Sequence, residues 1–245
     1  MHPQVAKNVA LRYEPIVELD SSKIAGVQVV APGRPNAAGM TGHDPASRAP
    51  AAGTIAPGPL VLGNSCGQLS DWRGRYAGLD LDVTVSLSCA QFNDPRLVWT
   101  VAWILAKTDL PGSALRLDIT DASAELASPQ HQATLTRLTR LGVRFVVTAF
   151  GTAFVGLRFL EARGVDEIRL HGSFVRGLRR SSATTALATG FVQAARHAGL
   201  TLSAEGIENE VDLARLRELG FERGQGPYLG HPTSGPQLAE LLASR

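Results

Sequence analysis

Residues 141–175 carry the pattern that most restricts how this chain can fold. Residues 143–147 form a β-branched and aromatic run of strand length, and a glycine-containing loop follows it. Residues 154–163 have helical spacing, and residues 167–170 form a second short apolar run. A strand, a crossover helix and another strand make a βαβ unit with two parallel strands. The residues at the two strand ends therefore share one rim, and function is expected there.

The same alternation of strand and helix extends along the chain, after a predicted hairpin formed by residues 12–19 and 24–31. Further strands are predicted at 81–87, 115–120, 201–204 and 225–229. Helices are predicted at 60–72, 94–107, 130–141, 184–198, 208–219 and 235–243. This order is typical of a TIM-type (β/α)8 barrel, with an open doubly wound sheet as the alternative. The leading hairpin predicts a first strand that runs antiparallel to the rest.

Residues 31–59 are rich in Pro, Ala and Gly and lack apolar periodicity, which predicts a long loop. This stretch is too short to be a linker with a separate domain before it. With 44% hydrophobic residues, the 245-residue chain can bury one large core. We therefore expect a single domain over residues 1–245, with the loop inside it.

Charge and composition exclude several classes of protein. The formal net charge of +2 gives no strong attraction to nucleic acid or to an anionic membrane. The basic trio Arg176, Arg179 and Arg180 is interpreted as a solvated helix flank. No apolar segment is long enough to span a membrane, and the N-terminus lacks the apolar core of a signal peptide. Cys66 and Cys89 have no metal-ligand spacing, so we expect reduced, buried thiols in a cytoplasmic protein.

Eleven residues at the predicted strand ends, all polar except Ala149, form the candidate site. They are Gln28, Thr84, Ser86, Asp118, Asp121, Thr148, Ala149, Arg169, His171, Glu205 and Gln225. Two divalent cations held close together need several anionic oxygens to balance their charge. Only Asp118 and Glu205 are well placed to supply them, so this rim is poor in metal ligands.

Seven segments, in the expected order, resemble motifs of the EAL-domain family of cyclic di-GMP phosphodiesterases. They are YEPIVELDSSKIAGVQVV, LDVTVS, LRLDITD, FVVTAFGTAFVGLRFL, VDEIRLHGSFVRGL, SAEGIENEVDLARLRELG and RGQGPYLGHP. They resemble, in turn, the opening hairpin with its Glu-Ala-Leu motif, the segment with the metal-binding Asn, and the Glu-Ile-Thr-Glu, Asp-Asp-Phe-Gly-Thr-Gly, Lys-Ile-Asp, Glu-Gly-Val-Glu and Gly-Gln-Gly segments. The resemblance covers essentially the whole chain. It implies an EAL-type barrel, with Mg²⁺ or Mn²⁺ as the cofactor of an active member.

The resemblance also shows where this chain departs from the family's pattern. Gln28 replaces the motif Glu, Pro32 the ligand-contacting Arg, Thr84 the metal-binding Asn, Thr148 and Ala149 the two loop aspartates, Arg169 the catalytic Lys, and His171 the Asp that follows it. Asp118 keeps an acid on a shorter stem, and Glu205, Glu208 and Gln225 are unchanged. At least three negative charges are missing, and an Arg stays charged near neutral pH. The two-metal route of hydrolysis is therefore expected to be disabled.

Several residues have two interpretations. Glu205 is either a remaining metal ligand or, as we favour, a partner of Arg169. Asp118 is more readily a hydrogen-bond acceptor at the rim than a metal ligand, and His171 is more readily structural. If a ligand binds, Arg169, Glu205 and Gln225 are the candidates to contact it, and the resemblance implies that Glu208 stabilises a loop.

Three functions remain open from the sequence. The first is a catalytically inactive EAL-like module that signals by binding an unidentified protein partner, with no metal cofactor. The second is a receptor that binds cyclic di-GMP without hydrolysing it. The third is an active phosphodiesterase with an atypical Mg²⁺ or Mn²⁺ site. The resemblance also makes a homodimer plausible.

Overall fold

A computed structural model describes residues 10–30, 58–76, 78–119, 129–150 and 164–243. Within these residues, eight strands form a closed barrel in sequence order. The strands are β1 Arg12–Glu18, β2 Ile24–Val30, β3 Asp82–Leu87, β4 Leu115–Ile119, β5 Arg144–Phe150, β6 Val165–Leu170, β7 Thr201–Ala204 and β8 Arg223–Gly224. The helices are α1 Gly58–Arg75, α2 Cys89–Phe92, α3 Leu97–Thr108, α4 Pro129–Arg140, α5 Gly172–Leu178, α6 Ser182–Ala198, α7 Glu210–Leu219 and α8 Gly235–Ala243. A 3₁₀ turn covers Gly112–Ala114.

The strand directions confirm the predicted barrel. Strand β1 is antiparallel to both of its neighbours, β2 and β8, whereas β2 to β8 pair in parallel. The C-terminal ends of β2 to β8 therefore meet at one rim, which we call the mouth. Because β1 runs the other way, the residues near its start reach the mouth, and Glu14 lies opposite Gln28.

The strands place apolar and polar side chains on opposite faces. In β4, Leu115, Leu117 and Ile119 belong to the hydrophobic core that also contains helix residues, while Arg116 and Asp118 alternate with them. Successive side chains of a strand point to opposite faces, so the polar residues of β4 point into the barrel. The apolar layer lies between the strands and the helices, and the barrel interior is largely polar.

One predicted strand is wrong. The sequence predicted a strand at 225–229, but β8 comprises only Arg223–Gly224. The next residues form a turn instead, because Leu229 N–H donates to the Gly226 carbonyl and Tyr228 N–H donates to that of Ile207. Gly226 has φ of 148°, and a Cβ on it would lie 2.3 Å from Ile207 N. The backbone therefore packs too closely there for any other residue.

Two predicted helix starts need correction as well, and the sequence analysis missed the short helices α2 and α5. The helix predicted at 94–107 begins at Leu97, because the carbonyl and the carboxylate of Asp94 accept hydrogen bonds from Leu97 N–H and Arg96 N–H. The N-cap of α5 is His171. The helix predicted at 208–219 begins at Glu210, since the Asn209 side chain accepts a hydrogen bond from Asp212 N–H.

Several expectations lie outside the described residues: those on residues 31–57, on Asp121, on the helix predicted at 154–163 and on the Ala149 and Cys89 side chains. Cys66 is a buried free thiol, as predicted, and burial raises its pKa to about 12. In the part of the chain that is described, no helix combines the length and the apolar character needed to cross a membrane.

Candidate functional site

Below the mouth, five charged side chains form a network that we call the ionic cluster: Asp82, Arg116, Glu167, Arg169 and Arg223. Arg116 donates to Asp82 Oδ2 at 2.7 Å and to Glu167 Oε2 at 2.9 Å. Arg169 donates to Glu167 Oε1 at 2.8 Å, and Arg223 donates to Asp82 Oδ2 at 2.9 Å. Strands β3, β4, β6 and β8 each contribute, so the network crosses the barrel. Gly26 makes room for it, because a Cβ there would lie 2.2 Å from Asp82 Oδ1.

The ionic cluster keeps its members charged. Burial by itself opposes ionisation of Glu167, but attraction to Arg169 and Arg116 and a hydrogen bond from Ser203 outweigh it and hold its pKa below the usual value. Burial also opposes the charge of Arg169, yet Glu167 and Asp118 raise the pKa of its guanidinium above the usual value. Arg169 therefore cannot act as a proton carrier near neutral pH.

From Arg169, a chain of hydrogen bonds leads up to the mouth. Arg169 Nη1 donates to Gln28 Oε1 at 2.9 Å, and Gln28 Nε2 donates to Ser86 Oγ at 3.1 Å. Ser86 Oγ donates to Asp118 Oδ2 at 2.8 Å, and Thr148 Oγ1 donates to Asp118 Oδ1 at 2.7 Å. Both carboxylate oxygens of Asp118 therefore accept a hydroxyl hydrogen bond, and the Gln28 amide is held at both ends.

Two more carboxylates lie near the mouth: Glu14 on β1, which pairs with β2, and Glu205 directly after β7. Glu14 and Glu205 are both buried. Burial, and after it repulsion from Glu205, raises the pKa of Glu14 to about 7. Attraction to Arg169 acts in the opposite direction but is weaker. Near neutral pH, Glu14 therefore exchanges between its neutral and ionised forms.

His171 is part of the start of α5. Its Nδ1 accepts a hydrogen bond from Ser173 N–H at 3.2 Å and lies 2.8 Å from Ser173 Oγ. Because Nδ1 is an acceptor, the ring proton is on Nε2, which lies 3.6 Å from Glu205 Oε1. With its proton there, Nε2 has no lone pair to offer a metal ion in this tautomer.

The remaining predicted residues are at the same rim or just below it. Thr84 and Gln225 are buried, and among the described residues Thr84 Oγ1 and Gln225 Oε1 have no hydrogen-bond partner. Glu208 lies outside the barrel, 3.4 Å from Arg176 and 3.5 Å from Arg179. The loop-stabilising role of Glu208 stays a prediction. Two of the three arginines interpreted as a solvated flank therefore bind this carboxylate.

One predicted pairing is wrong. The sequence favoured an ion pair between Arg169 and Glu205, but Arg169 pairs with Glu167, and Glu205 lies beside His171. Glu167 is two residues before Arg169 on β6, so both side chains point into the barrel. Arg169 therefore forms its ion pair with Glu167, the nearer carboxylate.

Five charged site residues escaped the sequence analysis: Glu14, Asp82, Arg116, Glu167 and Arg223. Each precedes or alternates with a residue that was identified at a strand end. Glu167 and Arg116 lie two positions before Arg169 and Asp118, and the predicted hairpin would have placed Glu14 opposite Gln28. The signal was the period-two alternation, which continues below the mouth, whereas only the strand ends were considered.

Comparison with known proteins agrees with this architecture. Residues 3–232 match the family model described as the EAL domain. The chain belongs to the EAL-domain family. It is 30% identical over 187 residues to MucR of Pseudomonas aeruginosa, a bifunctional diguanylate cyclase/cyclic di-GMP phosphodiesterase, covering 76% of this chain and 27% of that protein. It is 28% identical to the uncharacterized protein y4lL of Sinorhizobium fredii, covering 100% of this chain and 29% of the relative. The chain thus spans less than a third of these relatives.

Solved EAL structures are similar over nearly the whole barrel. The PaMucR phosphodiesterase in complex with c-di-GMP superimposes with a TM-score of 0.78 at 26% identity, covering 94% of each chain. The EAL domain of Mycobacterium smegmatis DcpA superimposes with a TM-score of 0.82 at 25% identity, covering 98% of this chain and 97% of that one. The PaMucR domain is a phosphodiesterase that was solved in complex with c-di-GMP, and this chain has its fold.

Proposed function

We propose that this EAL domain does not hydrolyse cyclic di-GMP and acts as a signalling module that binds a protein partner. The observation that carries the proposal is the hydrogen-bond chain from Arg169 through Gln28 and Ser86 to Asp118 and Thr148. All of these except Ser86 are positions at which the resemblance places metal ligands or the catalytic Lys. Here the side chains satisfy one another.

The residues present fit poorly to the pair of divalent cations that the family implies. Both oxygens of Asp118 accept hydroxyl hydrogen bonds, and Gln28 offers a neutral carbonyl that already accepts from Arg169. Two buried arginines, Arg116 and Arg169, and the partly buried Arg223 also offset nearby carboxylates. Among the described residues, no three or more His, Cys, Asp or Glu side chains are grouped to hold a metal ion. A second divalent charge would add repulsion from these guanidinium groups, and besides Asp118 only Glu14 and Glu205 lie at the mouth to offset it.

The second candidate is a receptor that binds cyclic di-GMP without hydrolysing it. The similarity to the PaMucR complex and the buried Gln225 Oε1, which has no partner among the described residues, favour it. The orientation of Arg169 weighs against it, since the guanidinium donates to Gln28, Ser203 and Glu167. A phosphate would have to displace at least one of these acceptors.

Titration calorimetry with cyclic di-GMP, with and without Mg²⁺ or Mn²⁺, and a hydrolysis assay on the same samples test the proposal. The EAL domain of MucR serves as the positive control. We expect neither binding nor turnover. Micromolar binding without turnover would replace the proposal by the receptor. Metal-dependent turnover that is lost in Glu205→Ala would establish an active phosphodiesterase.

A single restored carboxylate is expected to leave the domain inactive. Gln28→Glu returns an acid to the motif position, but it places that acid 2.9 Å from Arg169, which neutralises it. Thr148 and His171 remain as they are. The measurement is the rate of cyclic di-GMP hydrolysis in Mn²⁺, and activity of this single variant above background would contradict the proposal.

A further inference from the structure

A cleft with a volume of about 370 Å³ lies on the outside of the barrel, and none of the mouth residues described above lines it. Helix α7 forms one wall with Leu213 and Ala214, and the turn after β8 forms the other wall with Tyr228 and Leu229. Val17 of β1 forms the floor. We call this the side cleft. Its volume is within the range of about 300 to 1,000 Å³ that is usual for ligand sites.

The side cleft follows from the way β1 closes the barrel. Tyr13 packs on Trp72 of α1, so the alternation along β1 places Pro15 and Val17 on the same outer face. The chain after β8 then lies against that face, because a Cβ on Gly230 would be 2.9 Å from Pro15 Cγ. Val17 is therefore covered from one side by this segment and from the other by α7, and the space between them stays open.

The two ends of the side cleft carry opposite charges. Glu210 lines one end and Arg217 the other, and the seven residues between them correspond to about 10.5 Å along the helix axis. Leu213 and Ala214 lie between them on the same side of α7, since residues three and four apart are neighbours on a helix. The side cleft is thus apolar in the middle, acidic at one end and basic at the other.

The basic end is fixed in position by the turn between β1 and β2. Arg217 Nε donates to the Leu19 carbonyl, and Arg217 Nη2 donates to Ser22 Oγ at 2.9 Å. The guanidinium is therefore ordered before any ligand arrives, which lowers the entropy lost on binding. At the acidic end, the Glu210 carboxylate is exposed and has no hydrogen-bond or ion-pair partner among the described residues.

We infer that the side cleft binds an extended segment of the protein partner, with a basic side chain at Glu210, an acidic side chain at Arg217 and apolar side chains between them. The inference rests on the proposed function, that the domain signals by binding a protein. Three extended residues span about 10 Å, which matches the distance between the two charged ends. The basic and acidic residues of the partner are therefore three positions apart.

The dimensions of the side cleft favour an extended segment over a helix. Two turns of a helix about 10 Å across occupy roughly 800 Å³, which is about twice the volume available. Tyr228 is 47% exposed, so much of its ring remains in water until an apolar side chain covers it. Apolar contacts in the middle with charged contacts at the edge are the usual arrangement of a protein interface.

The test uses the peptide acetyl-Lys-Leu-Leu-Glu-amide, titrated into the ¹⁵N-labelled full chain. We expect the amide signals of Ala214, Tyr228 and Leu229 to shift, with a dissociation constant of about 0.1 to 5 mM, because a flexible tetrapeptide loses much conformational freedom on binding. The peptide acetyl-Glu-Leu-Leu-Glu-amide should bind at least about tenfold more weakly, since it places an acid beside Glu210.

Two variants test the charge and the shape of the side cleft. Glu210→Lys should reverse the preference between the two peptides, and the control is Glu240→Lys, the same change at an exposed position of α8. Ala214→Gln fills the middle of the cleft and should weaken binding at least about tenfold. Its control is Ala186→Gln at an exposed position of α6, which should bind like the wild type. Far-UV circular dichroism should show all four variants folded.

Several outcomes would overturn the inference. They are the absence of shifts at these amides, or binding that neither Glu210→Lys nor Ala214→Gln weakens. Octanoate that produces the same shifts at the same concentration would assign the side cleft to a small amphipathic anion instead. Self-association of the wild type in sedimentation velocity that Ala214→Gln abolishes would assign it to a second copy of the chain.

Cyclic di-GMP hydrolysis, measured on the same samples, separates failure of this inference from failure of the proposed function. Turnover by a domain that still binds the peptide would overturn the proposed inactivity and leave the assignment of the side cleft in place. An inactive domain that does not bind the peptide would overturn the assignment of the side cleft alone.

Discussion

Two buried glutamates inside the same barrel have opposite electrostatic surroundings. Glu167, in the ionic cluster, accepts hydrogen bonds from Arg116, Arg169 and Ser203, and its pKa is held below the usual value. Glu14, at the mouth, is raised to a pKa of about 7 by burial and by Glu205. Both are glutamates, and both are almost completely buried. Whether a buried carboxylate helps or harms the fold is therefore decided by the charges that the other strands bring beside it.

The pH dependence of the two residues follows with opposite sign. The folded pKa of Glu167 is lowered, so its contribution to stability is present above the unfolded pKa and is lost as the pH falls. The folded pKa of Glu14 is raised, so the folded state loses stability as the pH rises from the unfolded pKa to about 7. The fold therefore favours the charged form of Glu167 in the ionic cluster and the neutral form of Glu14 at the mouth.

The sharpest way to break this contrast is Glu167→Gln. It removes the charge that Arg116 and Arg169 share and leaves two buried guanidinium groups without it. We expect a loss of about 3 to 5 kcal/mol in the free energy of unfolding near neutral pH. Urea denaturation measures it.

The control for this variant is Glu218→Gln, which breaks an exposed pair with Arg215 and should cost less than about 1 kcal/mol. If Glu167→Gln cost no more than the control, the ionic cluster would not hold the barrel together as described.

Glu14→Gln should change the free energy of unfolding in the opposite direction, toward greater stability. It removes a carboxylate that is costly to ionise, so the variant should gain about 2 to 3 kcal/mol over the wild type between about pH 5 and pH 8. The gain should appear near the upper pH and vanish near the lower one. Urea denaturation across that pH range measures the difference.

The comparison variant is Glu18→Gln on the same strand, whose carboxylate is exposed and accepts a hydrogen bond from Ser21. The difference in the free energy of unfolding between Glu18→Gln and the wild type should stay the same across this pH range. A Glu14→Gln variant that is uniformly less stable than the wild type would show that Glu14 is stabilised by a partner.

Thr148→Val should produce the smallest effect. The substitution keeps the side-chain volume but removes the hydroxyl that donates to Asp118 Oδ1 at 2.7 Å. We expect a loss of about 1 to 2 kcal/mol, since the carboxylate is left with one buried oxygen less well satisfied. Thermal unfolding of Thr148→Val measures this loss. Thr136→Val is the control, because Thr136 is an exposed helix residue. Equal effects at both positions would argue that the hydrogen-bond chain at the mouth contributes little.

Much of the fold was predictable because local periodicity decides it. The hairpin of β1 and β2, the alternation of strands and helices and the antiparallel first strand all follow from the order and spacing of apolar residues. The mistaken strand at 225–229 had an apolar Tyr228-Leu229 ending, but the close approach of Gly226 to Ile207 turns the chain there. That approach depends on where β7 ends, which local pattern does not report.

Much less of the site was predictable. The sequence identified the residues around the mouth and noted the shortage of carboxylates, yet it paired Arg169 with Glu205 instead of Glu167. Gln28 and Arg169 are 141 positions apart and meet only when the barrel closes. Period two gives the face of each side chain but not which strand faces it across the interior.

The amino-acid sequence alone determined the order of the elements, the EAL family and the small number of acidic side chains at the strand ends. Only the tertiary structure decided that Glu167 takes both arginines, that Asp118 accepts from two hydroxyls and that Glu14 lies near Glu205. The physical reason is that the strength of an electrostatic contact depends on distances of a few ångströms and on burial. Both are set by how the strands stagger when the barrel closes.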